Sequence, residues 1–87
     1  MNTQEAKTVI FQVLSDIAPE VDQSAVDHHS DLSEQLDLDS MDYLNWLLGI
    51  NQATGVEIPQ RDVSKFLTID GAAAYLVDHS TELNSPD

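Results

Sequence analysis

Ala6, Val9, Ile10, Val13, Leu14 and Ile17 recur at helical spacing, which places all of them on one side of an α-helix. A helix with a single apolar face has to bury it against other elements, so this stripe commits the chain to a packed helical domain. Asn2 or Thr3 opens the helix. Glu5 follows Asn2 at the spacing of a capping box, with Asn in place of the usual Ser or Thr. Pro19 closes it, because the residue before a proline is pushed out of the α region. Phe11 lies off the stripe and is expected at its edge.

A second amphipathic run extends from Ser40 to Thr54, and Gly55 stands where a left-handed residue ends a helix. At about 100° per residue, Tyr43, Trp46, Leu47, Ile50 and Thr54 gather on a core side. Met41, Leu44 and Leu48 carry the apolar arc beyond what a surface helix needs, which predicts a docking strip beside Ser40. Gly49 interrupts the run at a cost of up to ~1 kcal/mol relative to Ala, which a close helix approach or space for a cargo would justify. Arg61 to Phe66 reads as a short third helix. Thr68 caps a fourth, in which Ile69, Ala73 and Leu76 share a face with Ala72 alongside. The expected fold is all-α: a small four-helix bundle of three longer helices and a short third one. A long ordered loop, Pro19 to Leu38, joins helices 1 and 2. Residues 1–79 are expected to form one domain and 80–87 a disordered tail.

At 87 residues the chain has room for one core and no large enzymatic pocket. Sixteen acidic residues against Lys7, Arg61 and Lys65 give a net charge of −13, which repels nucleic acid and anionic membranes. No basic residue lies between Lys7 and Arg61, a stretch that includes Ser40, so a partner there should be basic or neutral. Cysteine is absent, and any thiol chemistry must come from a cofactor. No signal segment and no apolar run of membrane length is visible, so a soluble, cytoplasmic, monomeric protein is expected. His28 and His29 are adjacent but lack a third ligand at suitable spacing, and no metal is expected.

The stretch Leu36-Asp37-Leu38-Asp39-Ser40-Met41-Asp42 carries the chemistry. Asp39 and Ser40 have the chemistry of helix caps, which is one reading of them. A calcium loop fits only Asp37 and Asp39: Met41, Asp42 and Leu48 occupy the positions that need an oxygen ligand, Gly and Glu. A hydrolase would need a Gly-x-Ser-x-Gly turn and a placed histidine, and the sequence offers neither. A small acidic protein-interaction domain without a prosthetic group accounts for every feature except a need to modify Ser40.

The motif Leu36-Asp37-Leu38-Asp39-Ser40-Met41, with the spacing to Ile58-Pro59 and to Thr68-Ile69-Asp70-Gly71-Ala72-Ala73-Ala74-Tyr75-Leu76, resembles the acyl carrier protein family from Ala6 to about Val77. The family signature is Leu-Gly-x-Asp-Ser-Leu, so Asp37 and Met41 replace Gly and Leu. The resemblance implies a non-catalytic carrier whose Ser40 bears 4′-phosphopantetheine, its thiol holding an acyl or aminoacyl group as a thioester. It implies cofactor contacts at Asp39 and Phe66, and a partner face including Met41, Asp42, Leu44, Asn45 and Leu48. It also implies attachment by a phosphopantetheinyl transferase using coenzyme A and Mg²⁺, and partnership with an acyl- or aminoacyl-loading ligase and acyl-processing enzymes. Asp37 replaces a glycine that can need φ > 0, a region Asp tolerates better than most residues. Asn45, Asn51 and Gln52 stand where fatty-acid-synthesis carriers are often acidic, which points to a specialised lipid or secondary-metabolite pathway.

Overall fold

The computed structural model describes residues 1–83, with side chains described through His79. Three α-helices of 15 residues dominate: α1 (Thr3–Ile17), α3 (Ser40–Thr54) and α4 (Ile69–Leu83). Between them lie a 3₁₀ turn (Gln23–Ala25), a four-residue helix α2 (Leu32–Gln35) and a seven-residue 3₁₀ segment (Gln60–Phe66). The all-helical expectation holds. The short third helix is 3₁₀ in geometry, and the loop between the first two long helices carries two short helical pieces. Helix α4 takes in residues 80–83, where a tail was expected, and 84–87 lie outside the described residues.

Local chemistry sets the boundaries. Asn2 accepts from the Glu5 amide at 2.8 Å while Glu5 Oε1 accepts from the Asn2 amide at 3.0 Å, a complete capping box. Gly55 ends α3 at φ 75°, and Thr68 Oγ1 accepts from the Gly71 amide at 2.9 Å over the first turn of α4. In the loop three of the acids are structural. Asp22 caps the 3₁₀ turn and Asp31 caps α2 through the amides of Ser33 and Glu34. Asp27 accepts from the His29 amide and from Ser30 Oγ. The first bond holds the Asp27 carboxyl below the usual range, and the Ser33 hydroxyl does the same for Asp31.

Helix α1 packs on both α3 and α4, and the 3₁₀ segment packs on α4. Ala6, Ile10, Leu14, Trp46, Ile50, Phe66, Ile69, Ala72 and Leu76 are wholly buried. The centre is aromatic: Trp46 meets Phe66 edge-on at 6.2 Å, and Phe66 meets Tyr75 at 5.0 Å. Trp46 Nε1 donates to the Ile10 carbonyl at 3.2 Å, so the indole is fixed to α1 as well as buried. Burying side chains of this size contributes about 1.5–3 kcal/mol each. That outweighs the ~1 kcal/mol that Gly49 costs α3. Phe11 sits at the edge as expected, its ring 5.4 Å from that of His28.

The loop is pinned at its middle. Leu32 donates its amide to the Leu67 carbonyl at 2.7 Å, and the Asp70 amide donates to the His28 carbonyl at 3.0 Å. Lys7 Nζ reaches Asp70 Oδ1 at 2.9 Å and His28 Nδ1 at 3.0 Å, and His29 Nδ1 contacts Asp70 Oδ2. The adjacent histidines therefore tie the loop to α1 and α4. Among the described residues no group of three or more His, Asp or Glu is placed to hold a metal.

Candidate functional site: a free serine at the mouth of a groove

The pinned loop delivers the chain to α3 through a left-handed residue. Asp37 has φ 55°, the one positive value outside glycine among the described residues. This is the backbone requirement that the sequence pointed to at Asp37, met by a residue that tolerates it. Leu38 then donates its amide to the Ser33 carbonyl at 3.0 Å, closing the turn onto α2.

Asp39, and not Ser40, is the N-cap of α3: its Oδ1 accepts from the Asp42 amide at 2.8 Å. Ser40 is the first helical residue and is exposed, and its hydroxyl has no hydrogen-bond partner among the described residues. The amides of Ser40 and Met41 also find no acceptor there, as expected in a first helical turn. A phosphate on Ser40 would therefore meet unpaired N–H groups and the positive end of a 15-residue helix. Asp39 and Asp42 oppose it. Helix-end and exposed-charge effects are both of order 1 kcal/mol or less, so an attached phosphate is accommodated rather than gripped. The residues present fit a covalently held phosphopantetheine.

Ser40 stands at one end of an open groove of about 940 Å³ between α3 and the chain leaving it. Tyr43, Leu44, Leu47, Leu48 and Asn51 form one wall, and Glu57, Ile58, Pro59, Gln60 and Val63 form the other. Tyr43 Oη donates to the Val63 carbonyl at 3.2 Å and bridges the walls. Burial, followed by the charge of Asp31, raises the Tyr43 phenol to about 12, so it remains a neutral donor. At 1.5 Å per residue the wall from Ser40 to Asn51 is roughly 16 Å long.

The predicted site residues divide. Met41, Leu44 and Leu48 are exposed, at 63%, 49% and 51%, although Leu47 beside them is core. Asp42 is half-buried beside Ser40. Phe66 requires correction: it is wholly buried between Trp46 and Tyr75 and does not line the groove. Val63, one turn earlier in the 3₁₀ segment, lines it instead. Asn45 is exposed but lies over the depression between α1 and α3 with Gly49 and Gln52, so it flanks the strip. The outer groove wall is not among the residues that the sequence singles out for the site. Ile58-Pro59 is its one signal there, and the spacing of that pair does not tell what it faces.

Fold and site together define a small helical domain that presents one unpaired serine hydroxyl beside an apolar groove. The chain matches the family described as "Phosphopantetheine attachment site" over residues 9–76. It is 32% identical over 75 residues to an acyl carrier protein of Rubrobacter xylanophilus, covering 83% of this chain and 93% of that protein. It is 29% identical over 73 residues to one of Lactobacillus acidophilus, covering 80% and 91%. It is also 29% identical over 72 residues to one of Campylobacter jejuni, covering 83% and 87%. The chain belongs to the acyl carrier protein family, and its cofactor is covalent 4′-phosphopantetheine. Among the described residues no helix is long and apolar enough to cross a membrane.

Proposed function

We propose that Ser40 is the attachment point of the phosphopantetheine, and that the described residues form a non-catalytic, cytoplasmic carrier of a specialised lipid or secondary-metabolite pathway. The cargo is an acyl or aminoacyl thioester, loaded by a ligase and passed to acyl-processing enzymes. The observation that carries this reading is the division of labour at the start of α3. Asp39 takes the capping bond, which leaves the neighbouring hydroxyl exposed and unpaired.

When bound, the cofactor supplies a terminal thiol that this cysteine-free chain lacks. The residues supply position. Ser40 Oγ attacks the pantetheine-side phosphorus of the coenzyme A pyrophosphate and gives its proton to a base of the transferase; the new Oγ–P bond replaces the pyrophosphate P–O bond, and adenosine 3′,5′-bisphosphate leaves. No base stands within hydrogen-bond reach of Ser40 among the described residues, so the activating chemistry belongs to the transferase. The helix end receives the phosphate, and the groove from Ser40 offers apolar side chains to the pantetheine arm and its cargo. The uncharged Asn45, Asn51 and Gln52 on α3 support a specialised pathway over general fatty-acid synthesis.

The test is intact mass after incubation with coenzyme A, Mg²⁺ and a promiscuous phosphopantetheinyl transferase. Gain of one phosphopantetheine, mapped to Ser40 by peptide sequencing, is the expected result. An unchanged mass favours a plain acidic interaction domain.

A further inference from the structure

The outer wall of the groove belongs to a segment that packs elsewhere. The 3₁₀ segment Gln60–Phe66 lies against α4, and no side chain caps its start at Pro59. It meets α3 at two side chains: Tyr43, whose Oη donates to the Val63 carbonyl at 3.2 Å, and Trp46, whose ring meets the edge of Phe66. The Tyr43 bond is the outer of the two, because Tyr43 and Val63 line the groove and Trp46 and Phe66 do not.

Behind this bond the interior is already occupied. Rings follow one another from the groove to α4: Tyr43 to Trp46 at 5.7 Å, Trp46 to Phe66 at 6.2 Å, Phe66 to Tyr75 at 5.0 Å, and Tyr75 stacked on His79 at 3.8 Å. Trp46 and Phe66 are wholly buried. Two members of the series are also held by hydrogen bonds, Trp46 Nε1 to the Ile10 carbonyl and Tyr75 Oη to Asp62 Oδ2. A chain entering between α3 and the 3₁₀ segment would have to displace close-packed rings and break such bonds. At the end away from Ser40 the groove stops on polar groups. The Asn51 amide is spent on the Val56 carbonyl, Gln60 is exposed, and the exposed Glu57 is the one charged residue of the lining.

We propose that Tyr43 is a specificity-determining residue of this carrier: it latches the 3₁₀ segment to α3 over a core filled with rings, so the acyl group rests in the open groove and its thioester stays in contact with water. The cargo class that fits is a short or polar acyl or aminoacyl group. A long alkyl chain in the same place would leave much of its surface wet and would end against Glu57 and Gln60. This rests on the reading of Ser40 as the cofactor site.

The experiment loads the chain from acetyl-coenzyme A and from octanoyl-coenzyme A with a promiscuous phosphopantetheinyl transferase, then follows cleavage of each thioester by hydroxylamine through intact mass. Emission of Trp46, the single tryptophan, reports on the core in the same samples. Parent, Tyr43→Phe and Tyr43→Ala are compared, with melting temperatures of the unloaded chains. In the parent both thioesters should be cleaved within about twofold of the matching free acyl-coenzyme A, because an open groove excludes little water, and Trp46 emission should not change with chain length. In the Tyr43 variants the released segment should let the octanoyl chain slip beneath it, slowing cleavage on the order of fivefold for octanoyl and not for acetyl, with a shift in Trp46 emission. Tyr43→Phe keeps the ring and decides the matter where Tyr43→Ala fails to fold. Slow octanoyl cleavage with shifted Trp46 emission in the parent overturns the proposal, because the core would then admit the chain. Parent-like cleavage in the folded Tyr43 variants overturns the role of the latch. Absence of label on Ser40 in the parent overturns the underlying cofactor reading instead.

Discussion

A Cβ built on Gly49 would stand 2.5 Å from Val13 Cγ1, closer than non-bonded carbon atoms approach. The glycine that weakens α3 locally is what lets α1 lie against it.

Gly49→Ala should therefore destabilise the fold even though alanine is the better helix former. Overpacking typically costs about 1–3 kcal/mol, against ~1 kcal/mol gained in propensity. Val13 is stiff at χ1 and cannot simply swing aside. Combining Gly49→Ala with Val13→Ala should cost less than the sum of the two single changes. Denaturant unfolding of all four chains measures that coupling, and strict additivity would show that the contact is not limiting.

Ser40→Ala should leave stability within about 0.5 kcal/mol, the ordinary range for a surface substitution, because its hydroxyl holds nothing in the fold. Cofactor loading should vanish. Asp39→Ala should show the reverse emphasis, with a loss of about 0.5–2 kcal/mol for the missing cap. The two variants separate presentation of the hydroxyl from construction of the helix start. Persistent labelling of Ser40→Ala would sink the assignment.

Alkaline pH should unfold the protein through its two tyrosines. Tyr75 donates to Asp62 Oδ2 at 2.8 Å, and burial first and that carboxylate second raise its phenol to about 12, as burial does for Tyr43. Both folded values lie above the unfolded one, so their stabilisation is complete below about pH 10 and is lost as pH rises towards 12. Tyrosinate absorbance should appear late, together with loss of helix signal. Early ionisation in a fully helical protein would contradict the burial.

Salt should stabilise the domain. Sixteen acids face three basic residues, and the long stretch without a cation leaves most of that repulsion uncompensated. For a domain of this size each kcal/mol relieved raises the melting midpoint by roughly 4–8 °C. Melting from low to moderate ionic strength reads the effect directly, and a flat response would mean that the caps absorb the charge.

The long helices were legible because each repeats its signal. The α1 stripe, the Trp46–Leu47–Ile50 face and Gly55 all stand where periodicity and end chemistry placed them. Helix α2 was not, since four residues are too few to show a period, and Asp22, Asp27 and Asp31 read as charge although each closes a local turn. Ser40 and the strip beside it could be singled out along the chain. Their surroundings could not, because the groove joins side chains brought together only when the 3₁₀ segment folds back over α3. Phe66 shows the limit: one apolar residue near a site carries no direction in sequence, and here it points to Trp46.

The pairing of Lys7 with Asp70 and of Lys65 with Asp62 has a practical consequence. Both lysine amines lie outside α3, and neither lines the groove. Amine-directed immobilisation or dye attachment through either one therefore modifies no residue of the groove and none of the serine-bearing helix.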